Sequence, residues 1–232
     1  MCGTCSEYGL HVAVCLQAPS TSSNKPYYRN GHYCHNKRST TLLPACLAVV
    51  KHAFHLGDAV KEYTDGSRNV SDCTGSGIYI KTHNQELKIQ RRNPDFFSVF
   101  RSELIAIDEG LDSLSSFSCS NEIWILTDSR SSIQHLANWH RVRDNTGMNI
   151  LNKLKSLLVS SRIHLQWIPS HVNIQGNEIA DALAKAGADD ASVPSVPLTY
   201  LELFSRAKSN NLAHSTGASL VSWFSTRCLS IN

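Results

Sequence analysis

The chain has 232 residues, 41% of them hydrophobic, and a formal net charge of +3, enough for one globular domain of ordinary size with flanking segments. Its longest apolar run, residues 42–50, is far too short to cross a bilayer. Between Lys61 and Lys185 there are 14 basic and 14 acidic side chains, which excludes a global basic field and leaves any attraction to phosphate to local patches or bound cations.

Residues 1–58 mix Cys, His, Ser and Tyr without a sustained period and are expected to be poorly ordered. No positive charge precedes an apolar stretch there, so a secretory signal is not expected. The eight cysteines, irregularly spaced, then read as free thiols of an intracellular protein, with nucleus and cytoplasm indistinguishable. On the same ground Asn69-Val70-Ser71 reads as a chance glycosylation match. Cys2, Cys5, His11, Cys15, His32, Cys34 and His35 supply soft ligands, but their spacing matches no zinc module. Lys25-Pro26-Tyr27-Tyr28-Arg29 could touch nucleic acid or be an ordinary exposed loop.

Order begins near residue 59. A short strand ends at Tyr63-Thr64, and Asp65-Gly66-Ser67 is expected to turn the chain. Gly75 to Ile80 and Glu86 to Gln90 form a hairpin around the loop Thr82 to Gln85. Leu104, Ile107, Leu111 and Leu114 recur at helical spacing. Ile123-Trp124-Ile125-Leu126 has the continuous apolar character of a strand buried on both faces. A polar helix follows from about Ser129 to Trp139, and an amphipathic one carries Ile150, Leu151, Leu154, Leu157 and Leu158. Ile163, Leu165 and Trp167 alternate with His164 and Gln166 as a half-buried strand. Asn177 is expected to cap a last helix, Glu178 to Ala186, which Gly187 closes; Glu178 would favour its amino terminus electrostatically. Beyond Asp189 the run Val193 to Pro197 breaks the order and opens a Ser/Asn-rich tail, residues 189–232.

Strands followed by alternating helices and strands specify an α/β domain, a mixed sheet with helices packed on it. In such a sheet Asp65 and Asp128 stand at the carboxyl ends of strands, the side where ligand sites form. Glu103 lies near the start of a helix and Asp181 within the last one. Gathered by a fold, these four acids would make a pocket of negative charge that divalent cations neutralise, which suits phosphoryl-transfer chemistry.

The segments Tyr63-Thr64-Asp65-Gly66-Ser67, Phe100 to Ile107 around Glu103, Ile125-Leu126-Thr127-Asp128-Ser129, and Trp167 to His171 with Gly176-Asn177-Glu178 and Asp181 closely resemble type 1 ribonuclease H. The likeness is strongest to the ribonuclease H domains of non-LTR retrotransposon polyproteins and covers residues 59–188. It implies a ribonuclease H-like, mixed five-stranded sheet flanked by helices. It also implies hydrolysis of the RNA strand of an RNA–DNA hybrid to 3′-hydroxyl and 5′-phosphate ends. No membrane partner is expected; the sequence does not fix the oligomeric state, for which a monomer is the expectation. Carried over by motif, Asp65, Glu103, Asp128 and Asp181 are the expected ligands of two Mg²⁺ ions, with Mn²⁺ as a substitute. Four carboxylates suit Mg²⁺, which keeps waters and substrate phosphate in its shell. His171 is expected to assist catalysis without binding metal, its imidazole being the side chain that changes charge nearest neutral pH. Gly66 and Ser67, with Glu103, are the expected contacts to the RNA strand, whose 2′-hydroxyl distinguishes it from DNA.

Two departures accompany the resemblance. Asp58-Ala59-Val60-Lys61-Glu62 puts charge where the first strand should be apolar, so that strand is expected to be short. Ser98-Val99-Phe100-Arg101 precedes Glu103, and the later interval offers only Arg141, Arg143, Lys153 and Lys155 as a basic cluster. The first departure supports an alternative, a non-catalytic nucleic-acid-binding remnant of a retrotransposon domain.

Overall fold

The structure, a computed structural model, describes residues 11–13, 58–114, 117, 121–191 and 197–208. The cysteine and histidine set apart from His11, the Lys25–Arg29 cluster, the apolar run at 42–50 and the tail beyond 208 lie outside the described residues. The elements are β1 (His11–Ala13), β2 (Val60–Arg68), β3 (Thr74–Lys81), β4 (Glu86–Asn93), α1 (Val99–Leu114), β5 (Glu122–Thr127), α2 (Arg130–Ala137), α3 (Asn145–Leu157), β6 (Arg162–Trp167) and α4 (Gln175–Ala188). A last helix, α5, spans residues 200–208. Among the described residues no helix is long and apolar enough to cross a membrane.

The sheet runs β1-β6-β5-β2-β3-β4. β2, β3 and β4 are antiparallel neighbours, whereas β5 pairs parallel with both β2 and β6. The five expected strands are therefore present as a mixed sheet, and three residues of the amino-terminal region add a sixth, parallel to β6.

Each face of the sheet carries its own core. On one, α1 turns Leu104, Ile107, Leu111 and Leu114 onto Val60, Ile78, Ile80, Ile123 and Ile125, with Ile133, Ile150 and Leu154 of α2 and α3 beside them. The predicted helical spacing is the buried stripe. On the other, Tyr63, Tyr79, Trp124 and Leu126 pack with Ile168, Ile174 and Ala180. Here α4 lies on the sheet without a layer of side chains between: a Cβ on Gly77 would stand 2.1 Å from the Ala180 carbonyl, and one on Gly75 2.3 Å from that of Ala184. Glycine in β3 and alanine in α4 thus set the depth of the helix, and with it the height of Asp181.

The first strand differs from expectation. β2 is nine residues long, in register with β3 from Lys61 to Arg68 and with β5 from Val60 to Thr64. The charges do not shorten it because their side chains take separate routes. Lys61 stays half-exposed at the bottom of the strand, while Glu62 is fully buried against α1. Gly110 makes room for it, since a Cβ there would stand 2.0 Å from Glu62 Oε1. Asp65-Gly66-Ser67, expected as a turn, continues the strand, and the chain turns at residues 69–73 instead.

The end of the chain also differs. α4 begins at Gln175 with Ile174 at its cap position and no side-chain cap, and Gly187 is inside the helix. Asn177 is buried within the first turn. Gly187 is small because it meets the backbone of Arg91, 2.5 Å from a would-be Cβ. α5 falls in a region read as tail, although Thr199-Tyr200-Leu201-Glu202 has the capping-box pattern that marks a helix start.

Candidate active site

Thr64 of β2 pairs with Thr127 of β5 in parallel register, so the next residue of each chain, Asp65 and Asp128, emerges side by side at the same end of the sheet. Glu103 reaches them because the start of α1 is pinned over β2. Ser76 Oγ donates to the Ser102 carbonyl at 2.7 Å. Gly66 leaves only 2.6 Å between its would-be Cβ and the Glu103 nitrogen, so any other residue there would lift α1 off the strand. Carboxylate oxygens of Asp65, Glu103 and Asp128 all lie within 4.8 Å of one another.

Asp65 and Glu103 are buried, 7% and 6% exposed, and Asp128 is half-buried. Three carboxyls in so small a volume cannot all carry charge cheaply. Burial, and then the charges of Asp128 and Asp181, push the Asp65 carboxyl up to about 8. Burial, followed by Asp65 and Asp128, holds Glu103 well above its ordinary value. Asp128 is raised by burial too, but an amide hydrogen bond from Asn177 and the nearby His171 oppose the shift. Glu103 Oε2 is buried with no hydrogen-bond partner among the described residues. Crowded carboxyls and an unpartnered buried oxygen fit a divalent cation, which would replace the protons these groups otherwise retain.

One consequence is measurable. At neutral pH Asp65 holds a proton in the metal-free protein, so a divalent cation bound there must displace it. Affinity for Mg²⁺ is expected to rise with pH through about 8, where Asp65 loses its proton. Calorimetry in buffers of different ionisation enthalpy should record net proton release at pH 7. Binding without proton release would contradict the raised carboxyls.

The other residues singled out in the sequence take unequal positions. Asp181, on α4, is close enough to Asp65 to hydrogen-bond with it, yet its Oδ2 accepts from Lys185 Nζ at 2.6 Å, and it is outside the tight group of three. His171 occupies the loop after β6, exposed, with a left-handed φ of 55°, near enough to Asp128 to act on its charge. Gly66 is buried beneath α1, whereas Ser67 is half-buried. In the basic cluster, Lys153 is engaged by Asp108 at 2.8 Å and Asp112 at 2.7 Å, which removes it from any phosphate contact. Asn177, expected as a cap, instead donates from Nδ2 to Asp128 Oδ2 at 3.2 Å. Trp167 Nε1 donates to the Asp128 carbonyl at 3.0 Å. Both orient the third acid; the only sequence signal for Asn177 was its place in Gly176-Asn177-Glu178.

The RNase H family model matches residues 57–189. A ribonuclease H1 from Rattus norvegicus is 29% identical over 170 residues, covering 66% of this chain and 58% of its own length; the chain thus spans little more than half of that relative. A crystal structure of RNase H1 from the archaeon Halobacterium salinarum aligns with a TM-score of 0.46 and 20% identity, over 57% of this chain and 99% of the other. An N-terminal RNase H domain from Mycobacterium tuberculosis, solved as a fusion with maltose-binding protein, aligns at 0.46 and 18%, over 58% and 99%. With the family match spanning more than half of its residues, the chain belongs to the RNase H family.

Proposed function

We propose that residues 59–188 form a metal-dependent endoribonuclease that hydrolyses the RNA strand of RNA–DNA hybrids, leaving 3′-hydroxyl and 5′-phosphate ends. The observation that carries this reading is the convergence of Asp65, Glu103 and Asp128 within 4.8 Å in a chain of the RNase H family. Two divalent cations, Mg²⁺ by preference and Mn²⁺ as a substitute, would supply an acidified water and positive charge at the leaving oxygen.

The chain's own residues do the rest. Asp65, Glu103 and Asp128 would hold the cations, and Asp181, paired here with Lys185, would complete the set. Asn177 fixes one oxygen of Asp128, so that its remaining lone pairs point into the site. As water adds to phosphorus, the bond to the 3′-oxygen breaks and that oxygen takes up a proton; His171, exposed beside Asp128, is placed to move protons between site and solvent. Selection of RNA rests on contact with the 2′-hydroxyl, for which Ser67 and the backbone around Glu103 are the accessible groups. The lean basic surface supports descent from a retroelement in which another domain tethers the substrate. We read the protein as intracellular and monomeric.

The non-catalytic alternative drew on a disrupted first strand. The complete nine-residue β2, with Asp65 in register beside Asp128, removes that support.

The test is cleavage of a labelled hybrid with Mg²⁺, beside single-stranded RNA and duplex DNA of the same sequence. Only the hybrid's RNA strand should be cut; equal rates on single-stranded RNA would sink the substrate assignment. For His171→Ala, turnover is expected to fall about 10- to 100-fold, as for a proton-transfer group, with Mg²⁺ affinity unchanged by calorimetry. Loss of metal binding in that variant would show His171 to be a ligand.

A further inference from the structure

Outside the carboxylate site, the molecule holds a cavity of about 600 Å³ whose lining includes Arg68, Arg101, Arg143 and Arg206 as well as Asp144, Asn145 and Thr146. It opens at the start of α1, four residues before Glu103, or about 6 Å along the helix axis. Four arginines outnumber the acids Asp144 and Glu202 in this lining, and one anion is held within it.

That anion is Glu202 of α5, only 6% exposed. Its Oε1 accepts from the Ser98 N–H at 3.0 Å, immediately before α1, where free N–H groups and the helix dipole favour negative charge. Its Oε2 accepts from Arg101 Nη1 at 2.9 Å. The same oxygen accepts from the N–H and hydroxyl of Thr199, each at 2.8 Å. A capping-box glutamate has a local role in its own helix, and that accounts for the Thr199 contacts. It does not account for Oε1, which caps a different helix 104 residues away. Burial works against charge on Glu202, but the N–H groups of Thr199 and Ser98, with Arg101, outweigh it and hold the carboxyl below its usual value. It is a carboxylate bound as a ligand would be.

Further contacts join α5 and its lead-in to the domain. Arg206 stacks its guanidinium 4.1 Å from the Phe96 ring, and Arg101 donates to the Pro197 carbonyl at 3.4 Å. The apolar side of α5 remains largely uncovered, with Tyr200 78%, Leu203 49% and Phe204 59% exposed. A helix seated permanently on a domain normally buries its apolar face. This one is held by its charged edge, in a manner that another anion can displace.

We propose that α5 is an autoinhibitory strap, in which the Glu202 carboxylate occupies the Ser98–Arg101 cradle beside the active site and must leave before a substrate phosphodiester can enter. The inference rests on the ribonuclease reading, and deepens it with a regulatory contact. Release frees Arg101 from Glu202 to face the nucleic-acid backbone.

The test uses the full chain. Glu202→Gln keeps the shape but removes the competing charge, and Arg206→Ala removes the Phe96 contact without altering the cradle. For Glu202→Gln, KM for hybrid should fall about tenfold with kcat unchanged, and Arg206→Ala should shift KM in the same direction. Without nucleic acid, amides of residues 200–208 should exchange at least tenfold faster in Glu202→Gln. In wild type, saturating hybrid with Ca²⁺ in place of Mg²⁺ should accelerate them likewise. An active Glu202→Gln enzyme with KM unchanged or raised overturns the strap, as does retained protection of α5 in the complex. If wild type and variants alike cleave no hybrid, the ribonuclease reading itself falls and the gate with it.

Discussion

Asp128→Asn is expected to reduce hybrid cleavage about 10³-fold or more while raising the melting temperature of the metal-free protein. The same holds for Asp65→Asn. Each change preserves shape and removes one ionisable carboxyl from a group of three whose oxygens lie within 4.8 Å. Loss of a cation ligand forfeits several kcal/mol of transition-state stabilisation, and about 1.4 kcal/mol corresponds to a factor of ten. The stability gain has the same origin: Asp65 is raised to about 8 by burial and by its neighbours' charges, so the folded state without metal is strained electrostatically. Active sites commonly exchange stability for function in this way. Initial rates on hybrid and thermal melts in EDTA test both halves. A variant within tenfold of wild-type rate would remove that acid from the proposed site.

The second large effect concerns Glu62. It is fully buried in the middle of the sheet, with neither carboxylate oxygen hydrogen-bonded among the described residues. Burial alone drives its carboxyl far above the ordinary value, so the folded protein holds it protonated. In the unfolded chain it ionises near the usual carboxylate range. The folded pKa is the higher one, so its contribution to stability is intact below the unfolded pKa and is lost as pH rises toward the folded one. Glu62→Met removes the penalty of burying an unsatisfied polar group, about 1–3 kcal/mol, and should raise the melting temperature at pH 8 much more than at pH 4. Glu62→Gln cannot ionise, and its stability should vary less between those pH values. Equal gains at pH 4 and pH 8 for Glu62→Met would indicate a packing effect unrelated to ionisation. Gly110 follows from the same side chain, because any Cβ at that position collides with the buried carboxyl.

Glu62 also shows where sequence reasoning reaches its limit. Lys61-Glu62 reads as an interruption because a charged pair is improbable inside a central strand. The structure accommodates it by sending successive side chains to opposite faces, one toward solvent and the other into a space vacated by glycine. That glycine is 48 positions away, so no local pattern could reveal it. Asn177 is a similar case. Its residue type and position before an apolar helix are those of a cap, yet α4 starts two residues earlier and turns the amide onto Asp128. α5 was locally legible through Thr199 and Glu202, but its partner, the start of α1, was not.

What the sequence alone determined was the order and kind of the elements from β2 to α4. Apolar periodicity reports which face of each element is buried, and that signal is local. What the tertiary structure decided was which acids meet. Parallel register sets Asp65 beside Asp128, Gly66 lets α1 bring Glu103 within reach, and Gly75 and Gly77 set the depth of α4, leaving Asp181 paired with Lys185 at the rim. These are contacts between residues far apart in the chain, fixed by packing at the scale of single atoms, which periodicity does not encode.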